Sequence, residues 1–236
     1  SNTLIRDGGF DGVVIKLGNS FSHLSKLDEE TIIAGASALD RKVSDFALEN
    51  FLTGFEFLSC IPGTIGGAVR MNSGCYDNDI SKILISVQAI DLNGNVRIIK
   101  SSDVKFFYRG SNLNTDLIFL SATFKGKKTD KSIIEKKIKN FVIKKKNDQP
   151  SKIKTCGSTF KNPINNSAWK LIKECGCAGM KVGDAQISKK HCNFFVNNGK
   201  AKSNELEELI LKVKDQVLNK TGIELELEIK IAGEKL

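Results

Sequence analysis

Between Ile223 and Ile231 apolar and polar residues alternate without a break. Ile223, Leu225, Leu227, Ile229 and Ile231 fall on one side, and Glu224, Glu226, Glu228 and Lys230 on the other. Only an extended chain places every second side chain on one face, so a half-buried strand is expected over Ile223–Ile231. Such a strand needs partners earlier in the chain. Val13-Val14-Ile15-Lys16-Leu17 and Thr31-Ile32-Ile33-Ala34-Gly35 read as strands, as does Leu117–Phe124. Ile85–Asp91 and Val96–Ile99 flank Asn93-Gly94, a hairpin turn signal. A second period is present too. Leu39, Val43, Phe46 and Ala47 predict a helix over 38–50, and Ile134, Ile138, Phe141 and Val142 one through about Lys146. Asn166–Glu174 reads as a short helix ending at Gly176. Ser203 can cap a longer helix carrying Leu206, Leu209, Ile210, Val213 and Val217 and closed by Gly222. Strands and helices are mixed without internal repeats, which places the chain in the α+β class.

With 236 residues, 40% of them hydrophobic, the chain can bury a sizeable core. No apolar run approaches the ~18–20 residues of a membrane span. The opening Ser1-Asn2-Thr3-Leu4 is not a signal peptide. Six cysteines are scattered along the chain, and Cys175-Gly176-Cys177 has neither redox nor zinc-knuckle spacing. The thiols are therefore expected to be reduced and the protein cytoplasmic. The net charge of +9 fits a nucleic acid, an anionic small substrate or a lysine-rich surface. Gly126-Lys127-Lys128-Thr129-Asp130 is the best boundary candidate, dividing residues 1–126 from 127–236. The lysines between Lys136 and Lys146 read most simply as a solvated helix face.

Three segments carry candidate chemistry. Ile61-Pro62-Gly63-Thr64-Ile65-Gly66-Gly67-Ala68 is either an ordinary turn or a place where backbone N–H groups approach a flat ring or a diphosphate. It has no G-x-G-x-x-G pattern and no Walker lysine. Tyr108-Arg109 precedes the turn Gly110-Ser111-Asn112, where an arginine is a surface residue or an anion clamp. Cys156-Gly157-Ser158-Thr159-Phe160-Lys161-Asn162-Pro163 is either loop chemistry or a site segment. A hydrolase triad is weak, since the chain has only His23 and His191 and no G-x-S-x-G elbow. A metal site is improbable on the same count. Glu228 lies on the polar face of the last strand, where solvation is the default.

Taken in order, these pieces resemble one family, the UDP-N-acetylenolpyruvoylglucosamine reductases (UDP-N-acetylmuramate dehydrogenases). The match runs through Ser1–Phe10, Ile61–Asn72, Phe107-Tyr108-Arg109, Cys156–Pro163, Trp169–Ile172, Ile187–Phe194 and Leu227–Lys230. The short connection between Ile187 and Asn197 resembles the family's second subtype. Two departures stand out. In the family Ser-Asn follows a glycine-rich turn and a β-α-β segment, so this chain resembles a member lacking several tens of N-terminal residues. Asp77 stands where the family has glycine. Apolar surface beside Ser1-Asn2 is then expected to be exposed.

The resemblance implies an FAD-binding domain of the vanillyl-alcohol-oxidase (PCMH) type over 1–126. It also implies a C-terminal α+β substrate-binding domain over 127–236, whose last strand returns Glu228 to the active site. It implies FAD as cofactor, NADPH as hydride-donating co-substrate and a UDP-sugar as substrate, with neither nucleic acid nor membrane as partner and no metal. The catalytic residues so implied are Arg109, Ser158 and Glu228. The cofactor-binding set is Ser1, Asn2, Pro62, Gly63, Thr64, Gly66, Gly67 and Ala68, and the substrate-binding set Tyr108, Lys161, Asn162, His191 and Asn193. Serine suits a proton donor to a strongly basic carbanion-like centre, and arginine's fork suits an enolate or carboxylate. A carboxylate beside an enolate would repel it, so Glu228 is expected to be protonated or to act through a hydrogen-bonded partner. The rival readings are a basic nucleic-acid-binding module, which lacks interleaved aromatics, and another FAD oxidase, against which the ordered C-terminal motifs argue.

Overall fold

The computed structural model describes residues 2–235; Ser1 and Leu236 lie outside them. The chain divides into two compact units. Residues 15–145 form one, and residues up to Val14 together with those from Lys146 onward form the other.

The 15–145 unit is built on a five-stranded antiparallel sheet. In spatial order its strands are Leu24–Lys26, Thr31–Gly35, Ile118–Lys125, Leu84–Ile90 and Val96–Lys100. The register sets Ala122 opposite Ala34 and Val87, and Phe124 opposite Ile32, so these side chains share one face. All of them are buried, against α1 (Asp40–Glu49) and α2 (Ile65–Met71). Each large aliphatic or aromatic residue so buried contributes roughly 1.5–3 kcal/mol. The α1 face that meets the sheet carries Val43 and Ala47, matching the period in the sequence, but also Asp40 and Ser44. The helix α3 (Lys131–Asp148) belongs mostly to this unit, so the boundary expected near residues 126–130 falls inside it. Ile134 is fully buried and Phe141 packs on the core, and two of its lysines are hydrogen-bonded or ion-paired rather than solvated. Lys137 Nζ lies 2.9 Å from Thr53 Oγ1 and 3.5 Å from Glu56 Oε1, and Lys145 Nζ donates to Cys60 O at 2.7 Å.

The second unit holds a four-stranded antiparallel sheet, ordered Lys154–Ser158, Phe194–Asn197, Ala185–Ile187 and Lys181–Val182. The helices α4 (Ala168–Glu174) and α5 (Ser203–Thr221) share its core, which includes Phe160, Ile172, Ile187, Val213, Leu225 and Ile229. A short parallel pair joins Thr3–Ile5 to Lys230–Ala232.

Three expectations are corrected. Val13–Leu17 is not a strand: Val13, Val14 and Ile15 are 85%, 78% and 65% exposed, and no segment among the described residues pairs with them. The long last strand is reduced to Lys230–Ala232, with one further bridge between Leu227 and Phe160. The partner strand is only three residues long, so the ladder stops although Leu225 and Ile229 remain buried. Ser203 is not the residue before α5 but its first residue, and the cap comes from far away in sequence. Asp7 Oδ2 accepts from Ser203 N at 2.6 Å and from its hydroxyl at 2.8 Å, while Asp7 N donates back to Ser203 Oγ at 3.0 Å. Arg6 adds a bidentate bond to Glu207 at 2.8 Å on each arm. Asp7→Ala removes the acceptor for the helix's first N–H, and a cost of about 1 kcal/mol is expected. A urea midpoint unchanged in that variant would show the cap to be idle. Among the described residues no helix is long and apolar enough to cross a membrane.

Candidate active site

The glycine-dense segment leads from the 3-10 turn Glu56–Cys60 into α2. Its backbone is pinned on one side. Ile65 N donates to Ala38 O at 3.0 Å, Gly66 N to Ala36 O at 2.8 Å, and Asp40 N to Gly63 O at 3.2 Å. Gly63 has φ +145°, which L side chains rarely adopt. At Gly66 a Cβ would sit 3.2 Å from the Ala36 carbonyl oxygen, a tighter contact than a Cβ ordinarily makes. At Gly67 nothing lies within 4 Å of the Cβ position. Ala68 is buried again. The turn therefore presents a bare backbone face at Gly67, one that a side chain would cover, and this suits a flat ring system laid against it.

Tyr108 and Arg109 form the two-residue loop of a small hairpin, in which Phe107 pairs with Gly110 and Phe106 with Ser111. Arg109 is left-handed at φ +57°, an uncommon conformation for a side-chain-bearing residue. A Cβ at Gly110 would lie 2.3 Å from the half-exposed Phe107 ring, which would have to move aside. The strain is held by bonds on both sides of the loop. Arg109 Nη2 donates to Gly74 O at 2.8 Å, the guanidinium lies 4.8 Å from the Tyr108 ring centroid, and Asn72 Nδ2 donates to Phe107 O at 3.1 Å. Strained residues fixed in this way cluster at functional sites.

In the second unit Ser158 ends the strand Lys154–Ser158, where the register slips between Thr155 and Ser158. Gly157, at φ +86°, supplies the bulge, and a bulge re-aims the residue that follows it. Ser158 is half-buried, and no hydrogen bond to its hydroxyl occurs among the described residues. The next residues are clamped. Thr159 N donates to Asn193 O at 2.8 Å, Phe160 N to Asn193 Oδ1 at 2.9 Å, and Asn193 Nδ2 to Phe160 O at 2.7 Å. Both ends of the Asn193 amide are thus engaged with the backbone that carries Ser158. Glu228 N donates to Thr159 O at 2.9 Å, which sets residue 228 beside the same segment. Asn2, expected at a cofactor, donates through Nδ2 to Glu228 O at 3.0 Å; Ser1 lies outside the described residues.

Of the remaining substrate candidates, Lys161 is ion-paired with the exposed Glu226, and Asn162 Oδ1 accepts from Ala168 N at 3.0 Å, capping α4 from outside. His191 packs between Trp169 and Phe194, with ring centroids 5.8 and 4.9 Å away. Burial holds its pKa below the usual histidine value, and Nδ1 is buried with no partner among the described residues.

The 55% identity to the UDP-N-acetylenolpyruvoylglucosamine reductase of Pelagibacter ubique spans 234 residues, covering 98% of this chain and 78% of that protein. The chain belongs to the UDP-N-acetylenolpyruvoylglucosamine reductase family. The reductase of a Wolbachia pipientis from Culex pipiens is 44% identical over 99% of this chain and 80% of its own length. The crystal structure of the MurB reductase from Thermus caldophilus superposes with a TM-score of 0.87 at 32% identity, over 98% of this chain and 82% of that one. The model of the reductase C-terminal domain matches residues 148–232 and that of an FAD binding domain residues 1–100. The α+β architecture of a flavin-binding domain followed by the reductase C-terminal domain is therefore the fold of this chain. The first span contains the Ile61–Ala68 turn; the second contains Ser158, Lys161, Asn162, His191, Asn193 and Glu228. Arg109 lies in neither.

Sequence reasoning assigned no role to Asn72 or Gly74, whose amide and carbonyl hold the Arg109 hairpin. The only signal was their place in the Met71-Asn72-Ser73-Gly74 run, directly after the glycine turn.

Proposed function

We propose that this chain reduces UDP-N-acetyl-enolpyruvoylglucosamine to UDP-N-acetylmuramate, a step of peptidoglycan precursor synthesis, with NADPH as reductant. The reading is carried by Ser158, whose re-aimed and unengaged hydroxyl stands in a span that matches the reductase C-terminal domain. The 1–126 segment is assigned to the cofactor, with Tyr108 and Arg109 turned to the substrate, and the 127–236 segment to the substrate. Pro62, Gly63, Thr64, Gly66, Gly67 and Ala68 would hold FAD, which fits the bare backbone face at Gly67. When bound, FAD supplies a hydride, received from NADPH, to C3 of the enolpyruvyl ether.

Negative charge then builds at C2 and in the adjoining carboxylate. Arg109 stabilises it with a cationic fork already anchored by Gly74 O, so little ordering remains to be done during the reaction. Ser158 gives its hydroxyl proton to C2. A hydroxyl is a weak acid, but it need only protonate a strongly basic carbon, so the transfer runs downhill. A carboxylate facing that charge would oppose the step, so Glu228 acts as the neutral acid or through a hydrogen-bonded partner. Asn193 is a positioning residue, because its amide is spent on Phe160. Lys161 serves the substrate's anionic groups: its partner Glu226 has a side chain 74% exposed, and such a pair is weak enough to exchange. Tyr108, Asn162 and the neutral His191 complete the substrate contacts.

Arg109→Lys tests the assignment. An ammonium keeps the charge but loses the fork. Losing one charge-assisted hydrogen bond costs about 1.5 kcal/mol, or ~10-fold. The loss is expected in reduction of the enolpyruvyl sugar and not in NADPH oxidation without it. Equal loss in both half-reactions, followed by stopped flow, would remove Arg109 from the proposed role.

A further inference from the structure

The helix α2 begins inside the Ile61–Ala68 turn and ends at Arg70 and Met71. Arg70 is half-buried, and no carboxylate pairs with it among the described residues. Its guanidinium is spent on backbone instead. Nη1 donates to Leu113 O at 3.2 Å and to Asn114 O at 2.7 Å, and Nη2 donates to Leu117 O at 2.6 Å. The guanidinium carbon lies 4.2 Å from the ring centroid of the buried Phe119. The three carbonyls belong to the loop that joins the Arg109 hairpin to the central strand Ile118–Lys125. The hairpin closes just before that loop. Asn112 N donates to Lys105 O at 3.1 Å, and Lys105 N donates to Asn112 Oδ1 at 2.9 Å.

We infer that Arg70 is a positioning residue for Arg109. It holds the exit of the hairpin, as Asn72 holds its entry through Phe107 O. One short helix thereby ties the place of the Arg109 fork to the place of the glycine turn. The inference rests on the role proposed above for Arg109.

Arginine suits this task, because its fixed plane of N–H donors can hold several carbonyls with one side chain. With Nη1 and Nη2 both engaged, Arg70 acts through the loop backbone and not as a receptor for an anion. Its own base is firm. Ile65 N and Gly66 N donate to Ala38 O and Ala36 O, and Ala68 and Val69 are buried. At a rise of about 1.5 Å per residue the helix is a rigid spacer of roughly 10 Å. The left-handed backbone of Arg109 persists only where its surroundings over-determine it. Gly74 holds the side chain and Asn72 the near strand, so the far side of the hairpin is left to Arg70.

The test makes Arg70→Met, which keeps the stem and removes the fork, and Arg70→Lys, which keeps the charge with fewer donors. Each is made alone and with Arg109→Ala in the FAD-loaded full chain. Arg70→Met is expected to slow reduction of the enolpyruvyl sugar about 10-fold, on a scale where a misplacement of ~1 Å can cost ~10²-fold. Arg70→Lys should lose less. Reduction of FAD by NADPH should stay near normal in both, which also shows that they fold. Once Arg109 is alanine, either change should cost less than about 2-fold, because residues acting through one group are not additive. Amide hydrogen exchange gives a reading that needs no turnover. In Arg70→Met it should speed at least ~10-fold over residues 105–112 while Thr31–Gly35 is unchanged. Unchanged exchange over 105–112 overturns the inference, as does equal slowing of both half-reactions, or the same loss with and without Arg109. If Arg70→Met does not fold, Arg70→Lys is read by the same criteria. Arg109→Ala that leaves sugar reduction untouched overturns the role of Arg109 and this inference with it. Arg109→Ala that slows the step while Arg70→Met does not overturns the inference alone.

Discussion

Replacing Ser158 with alanine is expected to slow reduction of the enolpyruvyl sugar at least ~10²-fold, the low end for losing a positioned acid. Reduction of bound FAD by NADPH should proceed at a near-normal rate in the same variant, because that half-reaction needs no proton at C2. The contrast has a structural basis. The Ser158 hydroxyl makes no hydrogen bond among the described residues, so its removal leaves no buried partner unsatisfied. The backbone beneath it is fixed by other groups, namely the Gly157 bulge, the Asn193 amide and the bond from Glu228 N to Thr159 O. A rate loss would therefore report the missing proton donor and not a displaced loop. Ser158→Cys keeps a transferable proton in nearly the same place and should recover part of the rate. Stopped-flow measurement of each half-reaction separates the cases. If alanine slows FAD reduction and spares the sugar, Ser158 is a cofactor contact, and the proton comes from elsewhere.

How much of this was legible before the fold was seen depends on the range of each interaction. Val43 and Ala47 mark α1 because a helix buries its own period, whatever it packs on, whereas Leu39, expected with them, precedes the helix and is 53% exposed. Val13–Leu17 has the composition of a strand, but a strand also needs a neighbour to bond with, and composition does not encode one. The Ile223–Ile231 alternation correctly named Leu225 and Ile229 as buried; the missing ladder reflects how short Thr3–Ile5 is. At the candidate site the motifs pointed to Arg109, Ser158 and the glycine turn through their local chemistry. What they hid was the support. Asn193 reads as a polar residue in a substrate loop, yet its amide is used up on Phe160, 33 positions away. Asp7 reads as a turn residue, yet it caps a helix that begins 196 positions later. Partnerships over such separations exist only once the chain has folded. The lysines of α3 make the same point, since only the fold distinguishes Lys137, Lys144 and Lys145, which find partners, from the other lysines of the helix.

Asp40 gives the largest expected effect on stability. It sits in the first turn of α1, where the helix dipole ordinarily favours a carboxylate. Here burial prevails. The residue is 1% exposed, neither carboxyl oxygen has a hydrogen-bond partner among the described residues, and burial raises its pKa from 3.8 to about 7. The folded protein therefore holds this proton more tightly than the unfolded chain. The stability linked to it is fully present below the unfolded pKa, falls as pH rises from about 4, and is lost once pH passes the folded value near 7. The gap between 3.8 and about 7 corresponds to about 4 kcal/mol, an upper figure for a group that can relax toward water. Asparagine is the neutral analogue of the protonated acid; accordingly Asp40→Asn should match the unsubstituted protein at pH 4 and exceed it by up to ~4 kcal/mol at pH 8. Comparing the two proteins at each pH cancels the titration of every other carboxylate. Because Asp40 N donates to Gly63 O, the ionised acid would also loosen the start of the helix that abuts the glycine turn. Urea midpoints at pH 4, 6 and 8 read the effect directly. A difference between the two proteins that stays constant across that range would mean that Asp40 is ionised throughout, and that a cation or water absent from the described contacts satisfies it.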